Sequence, residues 1–262
     1  MNIVVCIKQV PDTTEIKIDP VKNTLIRTGV PSIMNPFDKN ALETALQLKD
    51  TYGGKVTVIS MGPPQAKAVL REAISMGADE AYLVTDRAFG GSDTYATSYI
   101  LSQAIKKLGG FDVILGGKQA IDGDTGQTAP SIAEHLGVTR LTYILDLKVD
   151  GDKVLARRQV EEGIETIETK FPILCTATKE SNKPRYATIK GKLASFKAEI
   201  QEITLADIPG SDTAKMGLKG SPTKVKSTFT PQRNSTGVKI EGNSPEIMAD
   251  SLITKLAEAK IL

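Results

Sequence analysis

The residues best suited to chemistry lie in one stretch, 116–128, with the sequence Gly-Gly-Lys-Gln-Ala-Ile-Asp-Gly-Asp-Thr-Gly-Gln-Thr. It follows an apolar run and precedes an amphipathic pattern over 125–136, which predicts a loop between a strand and a helix. Glycines let the backbone approach a ligand, and free N–H groups at a helix N-terminus attract anions. Thr125 and Thr128 add hydroxyl donors. We predict that the loop binds a nucleotide phosphate, the alternative being a turn that only caps the helix.

This loop matches none of the common nucleotide fingerprints. It lacks the pattern Gly-x-Gly-x-x-Gly, and Gly117-Lys118 is not followed by the Ser or Thr of a P-loop. Asp122 and Asp124 resemble part of a cation site, but the sequence offers no His or further carboxylate nearby. We therefore predict no metal here.

The composition of the chain excludes several classes of enzyme. The only histidine, His135, lies in an apparent helix, and the two cysteines, Cys6 and Cys175, lie in apolar runs typical of buried strands. Zinc sites, a disulfide and His-dependent triads are therefore not expected. No apolar run approaches the roughly 18 residues that cross a bilayer, and the first residues resemble a strand rather than a charged leader. We expect a cytoplasmic protein without membrane insertion.

A second polar loop, Gly90-Gly91-Ser92-Asp93-Thr94, also precedes a helical pattern. Ser92 or Asp93 would cap that helix in one interpretation and face a ligand in the other, and the sequence leaves both open. The loop is superficially similar to the Ser-Gly-Gly-x-Asp-Ser loop of ATP pyrophosphatases. That loop follows the first strand, however, whereas this one follows the third predicted strand.

The elements that must position these loops alternate along the chain. Short apolar runs predict buried strands, and amphipathic patterns between them predict helices. This alternation predicts an α/β fold with a doubly wound, mostly parallel sheet, and three shorter late strands would extend or cover one edge. The main strands are expected over 3–7, 56–59, 82–84, 113–115 and 172–177, the late strands over 144–149, 153–159 and 165–170, and the helices over 37–52, 65–76, 93–108 and 125–136.

Polar residues follow three of these strands, in the stretches 8–12, 60–64 and 116–128. In an open α/β sheet, ligands bind outside the carboxyl ends of the strands, at the point where the strand order switches. The sequence therefore predicts that the three stretches meet at one binding site.

The last third of the chain has a different character. From residue 181 Pro, Gly, Ser and Lys dominate, and helical periodicity returns only over 245–261. We divide the chain into an α/β domain, 1–180, and a segment, 181–262, that is mobile or lies along another chain. Within it, 183–239 carries 11 Lys/Arg and 4 Asp/Glu, a local charge of +7 against +2 for the chain. Since aromatic residues are not interleaved with these charges, we predict a partner-facing surface rather than a nucleic-acid site.

Five motifs together resemble the β subunits of electron-transfer flavoproteins. The pattern Gly-Lys-Gln-Ala-Ile-Asp-x-Asp-x-x-Gln-Thr over 117–128 matches that family's adenosine-phosphate loop, and matches at 5–8, 34–37, 76–79 and 184–188 support it. The resemblance covers nearly the whole chain. It implies a nucleotide-binding α/β fold of the adenine-nucleotide α-hydrolase and universal-stress-protein type, with an extended C-terminal arm. It also implies an obligate heterodimer with an α subunit that carries FAD.

Carried over position by position, the resemblance implies which residues contact ligand and partners. Docking on acyl-CoA dehydrogenases would use Pro184, Arg185, Tyr186 and Ile189, with Ile189 as the apolar anchor in a partner pocket. The ligand contacts would be Cys6, Lys8, Asn35, Pro36, Phe37, Asp38, Met61, Ser92, Asp93, Thr94, Gly117, Lys118, Gln119, Ala120, Ile121, Asp122, Gly123, Asp124, Thr125, Gly126, Gln127 and Thr128.

One departure from the plain family pattern bears on the cofactor. Plain members hold AMP in the β site, and many lack the 86–94 segment and carry a bulkier residue in place of Gly123. This chain resembles the anaerobic, electron-bifurcating members, whose β site holds a second FAD that accepts hydride from NADH. The resemblance thus implies FAD, with AMP as the alternative.

The same resemblance implies the electron path. Electrons would pass from NADH to an acyl-CoA dehydrogenase and to ferredoxin or flavodoxin. No side chain need be catalytic, because the flavin does the redox chemistry. A non-redox nucleotide sensor and an ATP pyrophosphatase-like ligase remain as alternatives.

Overall fold

The computed structural model describes residues 1–12, 18–19, 24–25, 31–227 and 237–262. The basic segment 183–239 is therefore described except for residues 228–236. The described strands are β1 Asn2–Cys6, β2 Gln9–Pro11, β3 Ile18–Asp19, β4 Thr24–Leu25, β5 Ser32–Met34, β6 Lys55–Met61, β7 Glu80–Val84, β8 Val113–Gly117, β9 Thr139–Asp150, β10 Lys153–Val160, β11 Gly163–Lys170, β12 Ile173–Ala177 and β13 Gln201–Ile203.

Helices follow most of these strands, as predicted. Among the described residues, none is long and apolar enough to cross a membrane. The α-helices are α1 Pro36–Tyr52, α2 Lys67–Met76, α3 Thr94–Leu108, α4 Thr128–Leu136, α5 Ile189–Lys197, α6 Gly217–Gly220 and α7 Pro245–Glu258.

One large sheet organises the molecule, in the order β11-β10-β9-β12-β8-β1-β6-β7-β13. Its two faces are covered by different helices, which confirms the doubly wound fold. Val5 shares one core cluster with Leu42 of α1, whereas Val4 shares the opposite cluster with Ile105 of α3 and Ile132 of α4. Successive residues of β1 are therefore buried on opposite faces, which explains why the strand is a continuous apolar run.

The strand order switches beside β1. This strand pairs in parallel with β6 on one side, where Cys6 lies opposite Ile59, and with β8 on the other, where Val5 lies opposite Leu115. After β7 the chain crosses back over β1 to form β8. The carboxyl ends of β1 and β8 therefore border the crevice where α/β sheets bind ligands.

The three late strands form an antiparallel extension of the sheet. β9 pairs with β12 in parallel, and β10 and β11 continue outward as a meander. On β10, Val154 and Ala156 are buried in the same core as α1, while Leu155 between them is exposed. The predicted extension of one edge is confirmed, and β9 begins five residues earlier than expected.

The elements α5, β13 and the short helix α6 lie between residues 181 and 245, where the sequence shows no periodicity. α5 packs on α2, and β13 pairs in parallel with the outer edge of β7. The Arg71 guanidinium donates to the backbone oxygen of Ser195 at 2.6 Å, and a Cβ on Gly191 would collide with the backbone oxygen of Ser75. Polar and backbone contacts, rather than an apolar stripe, thus hold α5. The boundary at residue 180 stays a prediction.

Two helix boundaries differ from the prediction by three residues, and the other differences are of one or two residues. α4 begins at Thr128, three residues later than expected, and α7 ends at Glu258. α7 has no buried residue, and its apolar side chains Ile247, Leu252 and Ile253 are exposed.

Candidate functional site

A single carboxylate joins the carboxyl ends of the two switch-point strands. Asp38 lies in the first turn of α1, and one of its oxygens accepts a hydrogen bond of 2.8 Å from the backbone N–H of Lys8, just after β1. The other oxygen accepts a hydrogen bond of 2.9 Å from the N–H of Gly117, at the end of β8. Asp38 thereby fixes α1 over the crevice between the strands.

Gly117 is required by this close approach. A Cβ on it would collide with the Asp38 carboxylate and would lie 2.6 Å from the Phe37 Cβ and 2.7 Å from the Asp38 nitrogen. Two backbone N–H groups hold the carboxylate in place, and the other two atoms are a backbone nitrogen and a Cβ fixed to the backbone. None of the three can therefore move aside at low cost.

Asn35 holds the loop that follows β8. Its amide nitrogen donates to the backbone oxygen of Gln119 at 2.8 Å, and its amide oxygen accepts from the N–H of Ile121 at 3.2 Å. Asn35 is fully buried, and the loop gives a hydrogen-bond partner to both its amide nitrogen and its amide oxygen.

The rest of the loop is shaped by its own contacts. The Lys8 ammonium lies 2.7 and 2.8 Å from the two carboxylate oxygens of Asp122, and the Gln119 amide donates to Asp124 at 2.8 Å. Asp124 and Gly126 have φ angles of 50° and 62°, in the left-handed region. The two predicted carboxylates therefore have protein partners, and no metal-binding group of three or more His, Cys, Asp or Glu occurs among the described residues.

The helix after the loop begins without a side-chain cap. Gln127 stands at the N-cap of α4 but makes no side-chain hydrogen bond there. The N–H groups of Thr128 and Ala129 have no acceptor within the helix, and Pro130 carries no N–H. The positive end of the helix dipole adds to the attraction of an anion. α3 differs, because the Asp93 carboxylate caps it through the N–H of Ala96.

Two buried hydroxyls flank the crevice. Among the described residues, Ser60 Oγ and Thr178 Oγ1 are the buried side-chain oxygens and nitrogens that have no hydrogen-bond partner. Ser60 lies near the carboxyl end of β6, and Thr178 directly follows β12, so they stand on the strands on either side of the β1–β8 pair. Unsatisfied buried hydroxyls are rare in proteins, so these two are free to bond polar groups of a ligand.

Comparison with known proteins agrees with this geometry. A family model for the electron transfer flavoprotein domain matches residues 22–208. The chain is 53% identical to the electron transfer flavoprotein subunit beta of Megasphaera elsdenii over 100% of both chains, and 56% identical to that of Clostridium acetobutylicum over 98% of both. It is 48% identical to the caffeyl-CoA reductase-Etf complex subunit CarD of Acetobacterium woodii, over 100% of both. The chain belongs to the electron transfer flavoprotein family.

Within the electron transfer flavoprotein family the chain is of the β-subunit type, which confirms the resemblance predicted from its motifs. Members of this type pair with an α subunit and take part in electron transport. The residues of the switch-point crevice are therefore those of a flavoprotein subunit.

Burial raises the pKa of two side chains at the switch-point crevice. It raises the pKa of Asp38 to about 7, although hydrogen bonds from Asn35, Lys8 and Gly117 act in the opposite direction. Burial, together with the nearby Asp38, raises the pKa of the Cys6 thiol to about 12. Cys6 is therefore a protonated thiol at neutral pH and not a nucleophile.

Stability is expected to depend on the ionisation of Asp38. Its folded pKa of about 7 exceeds the unfolded value of about 3.9, so the folded state binds the proton more tightly between these values. The stabilisation that this carboxyl group adds to the folded state is complete below about pH 4 and is lost as the pH rises through 7. From pH 5 to 8, the wild-type free energy of unfolding should fall by about 2–3 kcal/mol relative to that of Asp38→Asn. Urea unfolding of both proteins at the two pH values measures this difference, and an equal difference at both would contradict the prediction.

The structure brings most predicted ligand residues together, but not all. Met61 ends β6 next to β1, beside the crevice. Ser92 Oγ accepts from the N–H of Gly217, and the Asp93 carboxylate accepts from Thr223. Thr94 is the first residue of α3. A role in ligand binding stays a prediction for these residues and for the others of the predicted set.

Sequence reasoning missed Thr178, and it included Ser60 only as the first residue of the polar stretch 60–64. The available signal was a hydroxyl residue at the end of an apolar strand, in the runs Val-Ile-Ser-Met and Ala-Thr-Lys. That signal is weak, because a hydroxyl at a strand end usually finds a partner in the protein.

The predicted docking residues differ in their exposure. Tyr186 is 94% exposed and Ile189 is 83% exposed. Arg185 instead forms hydrogen bonds of 2.9 and 3.1 Å with the buried Glu43 carboxylate and one of 2.8 Å with Asp50, both on α1. Arg185 therefore holds this segment on the domain and leaves Tyr186 and Ile189 on its surface.

Proposed function

We propose that this chain is the β subunit of a heterodimeric electron transfer flavoprotein and that its switch-point site holds FAD, with AMP as the alternative ligand. The observation that carries the proposal is the uncapped N-terminus of α4 beside the 117–128 loop. An adenine nucleotide presents phosphates, the kind of anion that such a helix end favours. The unpartnered hydroxyls of Ser60 and Thr178 support the same placement.

The chain would hold the nucleotide through backbone N–H groups and through the position of the loop and of α1 around it. We assign the N–H groups of Thr128 and Ala129 to the phosphates, since they have no helical acceptor. Asn35 and Asp38 keep the loop and α1 in place around them. Bound FAD would supply hydride and one-electron chemistry, so no side chain need act as an acid or a nucleophile.

One observation favours FAD over AMP, and a second supports the redox role. An added Cβ on Gly123 would meet no atom within 4 Å, which leaves room beside the loop for a larger ligand. The CarD relative belongs by name to a caffeyl-CoA reductase-Etf complex, which supports a redox role beside an enzyme of CoA thioesters.

Denatured heterodimer is expected to release two FAD molecules, one from each subunit. Absorption spectra and mass spectrometry of the released ligands check this. One FAD together with one AMP would contradict it and would favour a one-flavin carrier.

We further propose NADH as the electron donor, with an acyl-CoA dehydrogenase and ferredoxin or flavodoxin as acceptors. The heterodimer is then expected to be yellow and to lose its colour when mixed with NADH without oxygen. A yellow protein that NADH does not bleach would contradict this donor. A colourless protein would instead favour a nucleotide-binding protein without redox function.

Docking on the dehydrogenase is proposed to depend on Ile189. Loss of a central apolar anchor costs an interface on the order of 2 kcal/mol, or about thirtyfold in affinity. Ile189→Ala should therefore weaken electron transfer to the dehydrogenase by about thirtyfold. Ferricyanide reduction by NADH should be unchanged, because Ile189 is exposed and far in sequence from the switch-point loop.

Ile164→Ala is the matched control for this experiment. Ile164 lies on the edge strand β11 and is also exposed, so its replacement should leave both activities intact. If Ile189→Ala lowers ferricyanide reduction as much as dehydrogenase-coupled activity, the docking assignment is wrong.

A further inference from the structure

The loop 86–94 makes its contacts with the last packed segment of the chain, 205–223. The Asp86 carboxylate accepts a hydrogen bond of 3.1 Å from the N–H of Leu205. The Gly90 oxygen accepts one of 3.1 Å from the N–H of Leu218. The segment 205–223 therefore packs on a loop that lies more than a hundred residues earlier in the sequence.

Steric fit reinforces these hydrogen bonds. Gly217 has a φ of 61°, and a Cβ on it would collide with the Ala88 oxygen and lie 3.2 Å from the Gly90 oxygen. Met216 is buried in the same core cluster as Phe89. The loop and the segment are thus packed as closely as elements of the core.

Asp93 makes the last hydrogen bonds between the loop and the segment. Its N–H donates to Ser221 Oγ at 2.9 Å. One oxygen of its carboxylate caps α3 through the N–H of Ala96 at 3.1 Å. The other oxygen accepts from the N–H and the hydroxyl of Thr223, at 2.9 and 2.7 Å.

Beyond Thr223 the described chain leaves the domain. No residue of 224–227 or 237–262 is buried, and the apolar side chains of Val225, Val238 and Ile253 are more than half exposed. The Asp93–Thr223 contact is therefore the point at which the C-terminal arm departs.

We propose that the 86–94 loop is the anchor of the C-terminal arm and that Asp93 is a positioning residue for assembly with the α subunit. The inference rests on the proposed heterodimer, in which the arm, with no buried residue among those described, is expected to lie along the α subunit. An arm tied at its base loses less conformational freedom when it binds than a free one. Releasing Thr223 is expected to weaken the heterodimer by about five- to tenfold.

The two roles of Asp93 can be separated by substitution. Asp93→Ser keeps a good N-cap for α3, but its shorter side chain cannot also reach Thr223. Thr223→Val removes the hydroxyl partner from the other side. Both variants should raise the dissociation constant of the heterodimer, Thr223→Val by less because its backbone N–H can still donate to Asp93. The double variant should add little to Asp93→Ser, because that variant already removes the contact. Asp212→Ser, which changes a cap in the same segment without touching Asp93, is the matched control.

Dissociation of the purified heterodimer on dilution, measured together with its bound ligand, tests the inference. We expect weaker assembly in the Asp93 and Thr223 variants, unchanged nucleotide content in Thr223→Val, and no change of either quantity in the control. An unchanged dissociation constant in the variants would overturn the inference. Lost nucleotide with unchanged assembly would also overturn it and would assign the loop to the ligand site. Failure of the proposed function is distinct, since the wild-type chain would then form no flavin-containing heterodimer.

Discussion

Gly117→Ala is expected to empty the nucleotide site and to destabilise the fold by about 3 kcal/mol, at the upper end of the usual cost of overpacking. The added methyl would collide with the Asp38 carboxylate and press on the Phe37 Cβ and the Asp38 nitrogen. To relieve this, α1 would have to move away from β8 and break the hydrogen bond that joins them. Ligand content of the heterodimer and urea unfolding measure the two effects.

Gly110→Ala provides the control, just before the amino end of β8 and away from the crevice. It adds the same methyl group where no atom lies within 4 Å, and Gly110 does not have a positive φ angle. We expect normal stability and normal ligand content. If Gly117→Ala retains its ligand, the crevice between β1 and β8 is not the binding site.

The second large effect is expected from Arg185→Met. The Glu43 carboxylate is only 5% exposed, and the variant would leave it without its guanidinium partner. Breaking a fully buried pair in this way costs about 3–5 kcal/mol. Because the Arg185 side chain is 32% exposed, we expect about 2–4 kcal/mol, measured by urea unfolding.

Glu43→Gln in the Arg185→Met background should recover more than half of this loss. The neutral amide can still accept the hydrogen bond that the backbone N–H of residue 185 donates to Glu43. No buried charge then remains unpaired. Lys153→Met, at an ion pair with Glu168 in which both side chains are half-exposed, should change nothing measurable. If Arg185→Met and the double variant are equally stable, the loss of stability does not come from the unpaired charge of buried Glu43.

The parallel core of the fold could be predicted because its strands are buried on both faces. In β1, Val4 packs towards α3 and α4, and Val5 packs towards α1 and α2, so the run is apolar throughout. The side of β1 on which β8 lies could not be predicted, since periodicity carries no information on strand order. The polar stretches after the strands nevertheless indicated that a site lies at their carboxyl ends.

Other features escaped prediction for identifiable reasons. Ile189, Leu193 and Phe196 of α5 are exposed, so this helix has no core-facing stripe. The start of α4 was placed too early because Thr125 and Thr128 are both good N-terminal residues, whereas the left-handed turn at Gly126 delays the helix. The pairing of Arg185 with Glu43 joins residues 142 positions apart, beyond the reach of local patterns.

The late pairing of β13 with β7 has a consequence for synthesis on the ribosome. Gln201 emerges 117 residues after Val84, and at bacterial and eukaryotic rates of about 5–20 residues per second this takes about 6–23 s. During that interval the outer edge of β7 presents unpaired N–H and C=O groups, which invite pairing with other nascent chains. A ribosome that pauses before residue 201 therefore prolongs the aggregation-prone period, and slow codons placed after β13 would be better tolerated than slow codons before it.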